Sequence, residues 1–125
     1  MDDLKRLRIV WQQAYIAGDV ERLLALESET FTVSIGGKTM CRTERMQRLK
    51  GARSTGRWHA ANTRFVDYDI DMQDEGDRVI VHVNTSVFEG DNLMQRVRAD
   101  EVWRLTEHGW RIDALSYDVL PGEEQ

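Results

Sequence analysis

The sequence predicts one α+β domain, with helices first and a curved antiparallel sheet after them. Apolar residues recur at helical spacing in segments before Trp58, whereas from Trp58 onward they alternate with polar residues. The chain has 125 residues, 41% hydrophobic and 31% charged, with a single proline. Because this length supports one substantial core but is short for two, we expect residues 1–125 to form one domain.

The N-terminal segment predicts two helices joined by a tight turn. Gly18 stops the first helix, and Asp19 is a suitable N-cap for a second helix that runs to about Ser28. The apolar side of the first helix consists of Leu4, Leu7, Val10, Trp11, Ala14 and Ala17, with Tyr15 beside Trp11. The second helix has Val20, Leu23, Leu24 and Glu27 along one side. These two helices should pack as a helical hairpin.

A short β-hairpin and a third helix follow. Residues 31–40 alternate in polarity around Gly36-Gly37, a pair that can adopt the positive φ angles of a tight turn. Thr43 is the expected N-cap of the third helix, which should end at Gly51 and lead into a loop over 52–57.

The rest of the chain predicts an antiparallel meander. Turn sequences separate four alternating segments near 58–73, 78–88, 93–106 and 110–119. An order of helices first and strands afterwards favours an α+β fold with the helices on one face of the sheet.

The turn sequences also predict which side chains share a face. If the 89–92 turn pairs Phe88 with Leu93, and Thr106 pairs with Gly109, one face carries His82, Asn84, Glu101, Trp103, Ala114 and Ser116. The opposite face then carries Val79, Val81, Val83 and Val87 beside Arg96, Arg98 and Arg104. In the first long strand Asp67, Asp69 and Asp71 are expected to face solvent. A β-bulge would exchange the two faces.

Charge and composition narrow the range of partners and locations. The net charge of −5 disfavours nucleic acid and anionic membranes. Arg42–Arg57 is basic, and we interpret it as a solvated surface. The charged N-terminus lacks a secretory apolar region, and no segment is apolar enough to span a membrane. Together with the lone Cys41, these features predict a cytoplasmic protein.

Glu101 and His82 are the candidates for acid–base chemistry. Glu101 lies between apolar neighbours on a central strand, where burial favours a proton-transfer role; an outward or salt-bridged carboxylate is the alternative. His82, its diagonal neighbour in the predicted register, could shuttle a proton or simply be a hydrogen-bonded core histidine.

A further set of side chains predicts a pocket for a small apolar or planar molecule. Three indoles could form its walls, or only pack in the core: Trp11, Trp58 and Trp103. Four polar side chains could polarise a ligand oxygen: Tyr15, Tyr68, Asn84 and Ser116. The histidines at 59, 82 and 108 and the one cysteine lack ligand spacing, so we expect neither a metal site nor a cofactor.

Three stretches resemble the nuclear transport factor 2-like (NTF2-like) superfamily, which includes SnoaL-like proteins and ketosteroid isomerases. They are Trp11–Leu26 with its Ala-Gly-Asp junction, Phe31–Val33, and Glu101–Ile112 with its Trp-Arg and Gly-Trp-Arg sequences. The resemblance implies a cone-shaped, cystatin-like domain with its N-terminal helices on the concave face of the sheet. It also implies a homodimer through the outer sheet face, which would explain the valine-rich face.

The resemblance does not decide the function. Glu101 falls where ketosteroid isomerases place a pocket carboxylic acid, but the helix-one tyrosine position falls on Val10, and the general-base aspartate position falls near Ile35. Three functions therefore remain open. The chain could be a cofactor-independent enzyme of the isomerase, cyclase, dehydratase or epoxide-hydrolase type, a ligand-binding module, or a dimerisation domain with a vestigial pocket.

Overall fold

A computed structural model describes residues 2–121 as three helices and one six-stranded sheet, with two helices before the first strand and the third between the second and third strands. The helices are α1 (Asp2–Ala17), α2 (Val20–Leu26) and α3 (Arg42–Ser54). The strands are β1 (Glu27–Ile35), β2 (Lys38–Cys41), β3 (Thr63–Asp74), β4 (Arg78–Glu89), β5 (Asn92–Thr106) and β6 (Gly109–Val119). Within residues 2–121, no helix combines the length and the apolar character needed to cross a membrane.

The strand order is β2-β1-β6-β5-β4-β3 in a curved sheet that does not close. Strands β3 to β6 form the predicted antiparallel meander. The β1–β2 hairpin joins this meander with β1 parallel to β6, so the complete sheet is mixed. The fold class is the α+β class predicted from the sequence.

Glycine and aspartate end and begin the first two helices as predicted. Gly18 has a φ of 67° and donates its amide to the Tyr15 carbonyl, which closes α1. Asp19 then caps α2 by accepting a hydrogen bond from the Arg22 amide at 3.2 Å. Strand β1 already begins at Glu27, so α2 ends before the predicted Ser28.

The third helix and the third strand differ from their predicted bounds. Cys41, rather than Thr43, occupies the N-cap of α3 and makes no side-chain capping bond. The helix continues through Gly51 to Ser54 because this glycine adopts ordinary helical geometry rather than a positive φ. Strand β3 begins at Thr63 instead of Trp58, so Trp58 lies in the loop that precedes it.

Two bulges correct the predicted strand faces. Phe88 does pair with Leu93, but Val87 then pairs with Gln95, which leaves Met94 as an extra residue. The shift of one position puts Val81, rather than Ile80, opposite Glu101. A second irregularity places Leu115, rather than Ala114, opposite Glu101.

The valine row therefore lies on the concave face, under the helices. Val79, Val81 and Val83 are almost completely buried in the same core as Trp103 and Leu4 of α1. The prediction that these valines form the outer face is wrong, and so is the dimer argument built on their exposure. The one-residue bulge in the β4–β5 pairing is the physical reason, because such a shift exchanges the faces of every later residue.

Strand β3 contains a third irregularity, between Tyr68 and Asp71. Asp69 lies in it with a φ of 52°. Asp67 pairs with Thr85 on the concave face, whereas Asp71 pairs with His82 on the outer face. The three aspartates thus do not share a solvent face as predicted, and Asp67 points toward the helices.

Candidate functional site

A cavity of about 340 Å³ lies between α1, α3 and the concave face of the sheet. Aromatic side chains form much of its wall, and apolar residues of β1 and β6 such as Val33 and Leu115 also contribute. Its polar lining includes Arg45 and Tyr117. The volume falls within the range of small-molecule sites in proteins.

A wider and more open groove of about 890 Å³ runs beside the C-terminal half of α1. It shares four lining residues with the cavity: Gln12, Trp58, His59 and Phe65. These side chains form the boundary between the two spaces. We place the candidate site in the cavity because a smaller, better enclosed space excludes water from more of a ligand.

Arg8 of α1 is the centre of a buried ion network at the inner end of the cavity. Its Nε and Nη2 atoms each donate to a Glu101 carboxylate oxygen at 2.7 Å, and its Nη1 donates to Asp67 at 3.1 Å. Trp103 Nε1 also donates to Glu101, at 2.8 Å. Burial alone would lower the pKa of Arg8, but its bonds to Glu101 and Asp67 raise it. Protein donors therefore occupy both oxygens of Glu101.

Asp67 connects this network to the cavity wall. It accepts hydrogen bonds from Gln12 Nε2 at 3.0 and 3.1 Å and from Thr85 Oγ1 at 2.8 Å. Gln12 and Thr85 both line the cavity. Because two carboxylates face the single guanidinium of Arg8, the network carries a net negative charge when both are ionised.

A second buried ion pair joins Glu27, the first residue of β1, to Arg45 of α3. Arg45 Nη1 and Trp11 Nε1 both donate to the Oε2 atom of Glu27, the latter at 3.0 Å. Burial raises the pKa of Glu27, although Arg45 and Trp11 act in the opposite direction. Among the described residues, Glu27 Oε1 and Arg45 Nη2 are buried without a hydrogen-bond partner.

Two tyrosines stand next to this ion pair. The Arg45 guanidinium carbon lies 5.1 Å from the ring centroid of Tyr15, and the Tyr15 hydroxyl interacts with that of Tyr117 on β6. Burial, followed by the Tyr117 hydroxyl, raises the pKa of Tyr15 to about 12. Burial also raises the pKa of Tyr117. Both hydroxyls therefore keep their protons at neutral pH.

An aromatic cluster forms the boundary between the cavity and the groove. The ring centroid of Trp58 lies 5.0 Å from that of Tyr15 and 5.0 Å from that of His59, which packs on Phe65 at 5.8 Å. Trp58 Nε1 donates to the Tyr15 and Ile16 carbonyls at 3.0 and 3.1 Å, which fixes the loop to the end of α1. Burial lowers the pKa of His59, so this imidazole is neutral at pH 7.

The cavity brings together four of the residues proposed from the sequence: Glu101, Trp11, Tyr15 and Trp58. Trp103 shares their face of the sheet but is fully buried behind Trp11, with the two rings edge to face at 6.2 Å. It holds Glu101 in place through its indole N–H.

The other proposed residues lie on the outer face of the sheet, away from the cavity. The predicted neighbourhood of His82 and Glu101 is wrong because the β4–β5 bulge turns these two side chains to opposite faces. His82 Nδ1 instead lies 2.5 Å from the Asp100 carboxylate, in a half-exposed pair. The outer-face set is His82, Tyr68, Asn84 and Ser116.

Prediction from the sequence missed charged and polar residues that line the cavity, among them Arg45, His59 and Tyr117. It also missed Arg8 and Glu27, which bind residues of the lining. A signal was present for Arg8, which lies four residues after Leu4 and three before Trp11, within the apolar face of α1. Arg45 likewise precedes buried Leu49 by one helical turn. A basic residue on an apolar helix face indicates a buried acidic partner.

Metal chemistry has no evident site in the part of the chain that the structure describes. No three side chains of the histidine, cysteine, aspartate and glutamate types converge there to hold a metal ion.

Comparison with known proteins shows the fold. No protein-family model and no curated protein matches the sequence. A proposed dehydratase of the NTF2-like family from Streptomyces avermitilis superposes with a TM-score of 0.78 at 18% identity, over 97% of this chain and 96% of that one. An NTF2-like protein from Cytophaga hutchinsonii has a TM-score of 0.72 at 23% identity, over 94% of each chain.

A third similar structure is a proposed Ca/calmodulin-dependent kinase II association domain from Exiguobacterium sibiricum. Its TM-score is 0.71 at 13% identity, over 96% of this chain and 92% of that one. Other solved neighbours are described as cystatin-like folds. The chain therefore has the NTF2-like, cystatin-like fold that its sequence resembles, and at these identities the likeness extends to the fold alone.

Proposed function

We propose that this chain, which has the NTF2-like fold, binds one small, flat and largely apolar molecule in the cavity under α1. The observation that carries the proposal is the cavity itself, a space of about 340 Å³ with Trp11, Tyr15, Trp58 and Phe65 in its wall. Flat aromatic walls favour a planar apolar ligand. A vestigial pocket would be expected to be filled by side chains, whereas this space is large enough for a small molecule.

The contacts of Glu101 favour binding over proton transfer by that residue. Arg8 holds both of its carboxylate oxygens and Trp103 holds one of them a second time. A general acid or base has to reach a proton of its substrate, and here both oxygens of Glu101 already accept hydrogen bonds from protein donors. We therefore assign Glu101 to positioning α1 against the sheet.

Enzymatic turnover is the second candidate, and His59 is the observation in its favour. This imidazole is half-buried, neutral at pH 7 and shared between the cavity and the groove, where it could accept a proton from a bound substrate. The likeness to a proposed dehydratase is compatible with such chemistry. A substrate whose turnover falls at least about a hundredfold in His59→Phe would support this alternative.

The outer sheet face remains our proposed site of homodimer formation, now on different residues. Among the described residues no helix covers this face, which carries the aliphatic side chains of Val66, Ile80 and Val102. The likeness to a proposed kinase association domain is compatible with assembly of this chain.

A cytoplasmic location is the last part of the proposal. Its support is the single cysteine, Cys41, which is exposed and would keep its free thiol in a reducing compartment.

Binding of a naphthalene probe tests the proposed function. We expect 2-ethylnaphthalene to bind in a calorimetric titration and to raise Tm, because Trp11 and Trp58 line the cavity with flat apolar surface. Ala52→Phe, on the cavity wall, should abolish the binding, whereas Ala25→Phe on exposed α2 should not. Equal binding of the probe to both variants, or failure of both 2-ethylnaphthalene and 2-acetylnaphthalene to bind wild-type protein, would contradict the proposal.

A further inference from the structure

Three hydrogen-bond donors meet at one side of the cavity, from three different elements. They are Tyr15 of α1, Arg45 of α3 and Tyr117 of β6, and all three line the cavity. The Arg45 guanidinium lies over the Tyr15 ring and acts electrostatically on both hydroxyls. We call these three residues the donor group. It is distinct from the Arg8–Glu101 network, since Tyr117 lies opposite Ala99, two positions along β5 from Glu101.

The donor group has more protons to donate than the described residues accept. The hydroxyls of Tyr15 and Tyr117 interact with each other, and a hydrogen bond between two hydroxyls uses only one of their two protons. Arg45 Nη1 is satisfied by Glu27 Oε2, whereas Arg45 Nη2 and Glu27 Oε1 are both buried without a partner. Unpaired buried donors are unfavourable, and their convergence on one cavity wall indicates an acceptor atom on the ligand.

The surrounding charges indicate that this acceptor is neutral. Glu27 already balances the charge of Arg45, and Arg8 is outnumbered by the carboxylates of Glu101 and Asp67. The other basic residue of the lining, Arg48, is exposed to solvent, where hydration and salt weaken its attraction for a carboxylate. A carboxylate ligand would therefore lose its hydration on entering this cavity without gaining an uncompensated buried cation. A carbonyl oxygen needs only donors, which the tyrosine hydroxyls and Arg45 supply.

We propose that the ligand carries an uncharged carbonyl oxygen, which accepts hydrogen bonds from the donor group. Its flat apolar part then extends toward Trp58 and Phe65 at the boundary with the groove. This inference rests on the proposed function and adds to it the class of the ligand and its orientation.

Three probes of similar shape separate the possibilities. They are the ketone 2-acetylnaphthalene, the hydrocarbon 2-ethylnaphthalene and the carboxylate 2-naphthoate, titrated by isothermal calorimetry at neutral pH. We expect wild-type protein to bind the ketone most tightly. Tyr117→Phe should weaken ketone binding by about fivefold to tenfold, the size expected for loss of one hydrogen bond, and should change hydrocarbon binding less than about twofold.

Tyr68→Phe provides the matched control, because Tyr68 is a tyrosine on the outer face of the same sheet. It should leave the affinity for all three probes unchanged. Hydrocarbon binding as tight as ketone binding, a Tyr117→Phe effect equal for both probes, or preference for the carboxylate would each overturn this inference while leaving the cavity's function intact. Failure of both uncharged probes to bind wild-type protein would instead reject the proposed function.

Discussion

Arg8 shows how one buried side chain can hold a fold together. It comes from an apolar helix face, and the main-chain hydrogen bonds of α1 could form equally well around an apolar residue there. An arginine is required because the two carboxylates that it contacts, Glu101 and Asp67, would otherwise be buried with fewer hydrogen-bond donors. Removing one member of such a group of paired charges destabilises the folded protein by more than the whole group stabilises it, because the remaining charges are buried and uncompensated.

We expect Arg8→Met to destabilise the protein by about 3–5 kcal/mol in urea denaturation. Adding Glu101→Gln to that variant should recover a large part of the loss, since the uncharged amide still accepts from Trp103. Arg6→Met is the control, because Arg6 is exposed on the same helix and should change stability by less than about 0.5 kcal/mol. A double variant as unstable as Arg8→Met alone would show that packing, not charge, is what Arg8 supplies.

His59 should make stability depend on pH near neutrality. Burial lowers its folded-state pKa below the ordinary 6.5, so the unfolded chain binds the proton more readily. Stability should therefore be full above 6.5 and decrease as the pH falls through 6.5 toward the lowered folded value. We expect urea midpoints at about pH 7.5 and about pH 5.5 to differ more in wild type than in His59→Phe.

His108→Gln serves as the comparison for that measurement, since His108 is exposed in the final hairpin turn. It should retain the wild-type difference between the two pH values. A wild-type midpoint that does not change over this range would mean that His59 is as readily protonated in the folded protein as in the unfolded chain.

At the scale of helices and strands, the predictions that succeeded depended on local chemistry. Gly18 and Asp19 were predicted to end one helix and cap the next because glycine tolerates positive φ and aspartate accepts amide hydrogen bonds. The Gly36-Gly37 hairpin has the same kind of local cause. Each of these features depends on residues within a few positions of one another.

The failures were failures of register. Met94 is an extra residue in the β4–β5 ladder, and no local signal distinguishes it from its neighbours. What selects the bulge is the burial of the valine row of β4, which requires contacts between α1 and a sheet far away in sequence. Glu101 was predicted on the correct face, but its predicted neighbours His82, Asn84 and Ser116 were not, because the register of β4 and of β6 is shifted by one residue relative to β5.

Two glycines should respond in opposite ways to alanine. Gly18→Ala should destabilise by about 1 kcal/mol or more, because its φ is 67° and a Cβ would lie 2.4 Å from the Cδ atom of Arg53. Gly51→Ala should stabilise by about 0.5–1 kcal/mol, because Gly51 is inside α3 with nothing near its Cβ position. Thermal unfolding measures both, and a destabilising Gly51→Ala would contradict the helical assignment there.

At the scale of the whole molecule, one face of the sheet forms the cavity, and the other is the face that we propose for association. We expect wild-type protein to be a dimer by light scattering at about 50 micromolar, and Ile80→Glu with Val102→Glu to be a monomer, since two buried charges per subunit would oppose the contact. Leu24→Glu, at an exposed apolar residue of α2, should remain a dimer. Wild-type protein that is already a monomer would contradict the proposal.

The third irregularity, at Asp69, has a consequence for the behaviour of the protein in concentrated solution. Strand β3 is an edge of the sheet and is 12 residues long, which makes its free backbone groups a template for strands of other molecules. The positive φ of Asp69 interrupts that template near its middle, and acidic residues at Asp71 and Asp74 repel a second copy. These features protect the edge against intermolecular β-aggregation, which leaves the outer face of the sheet as the surface for the association that we propose.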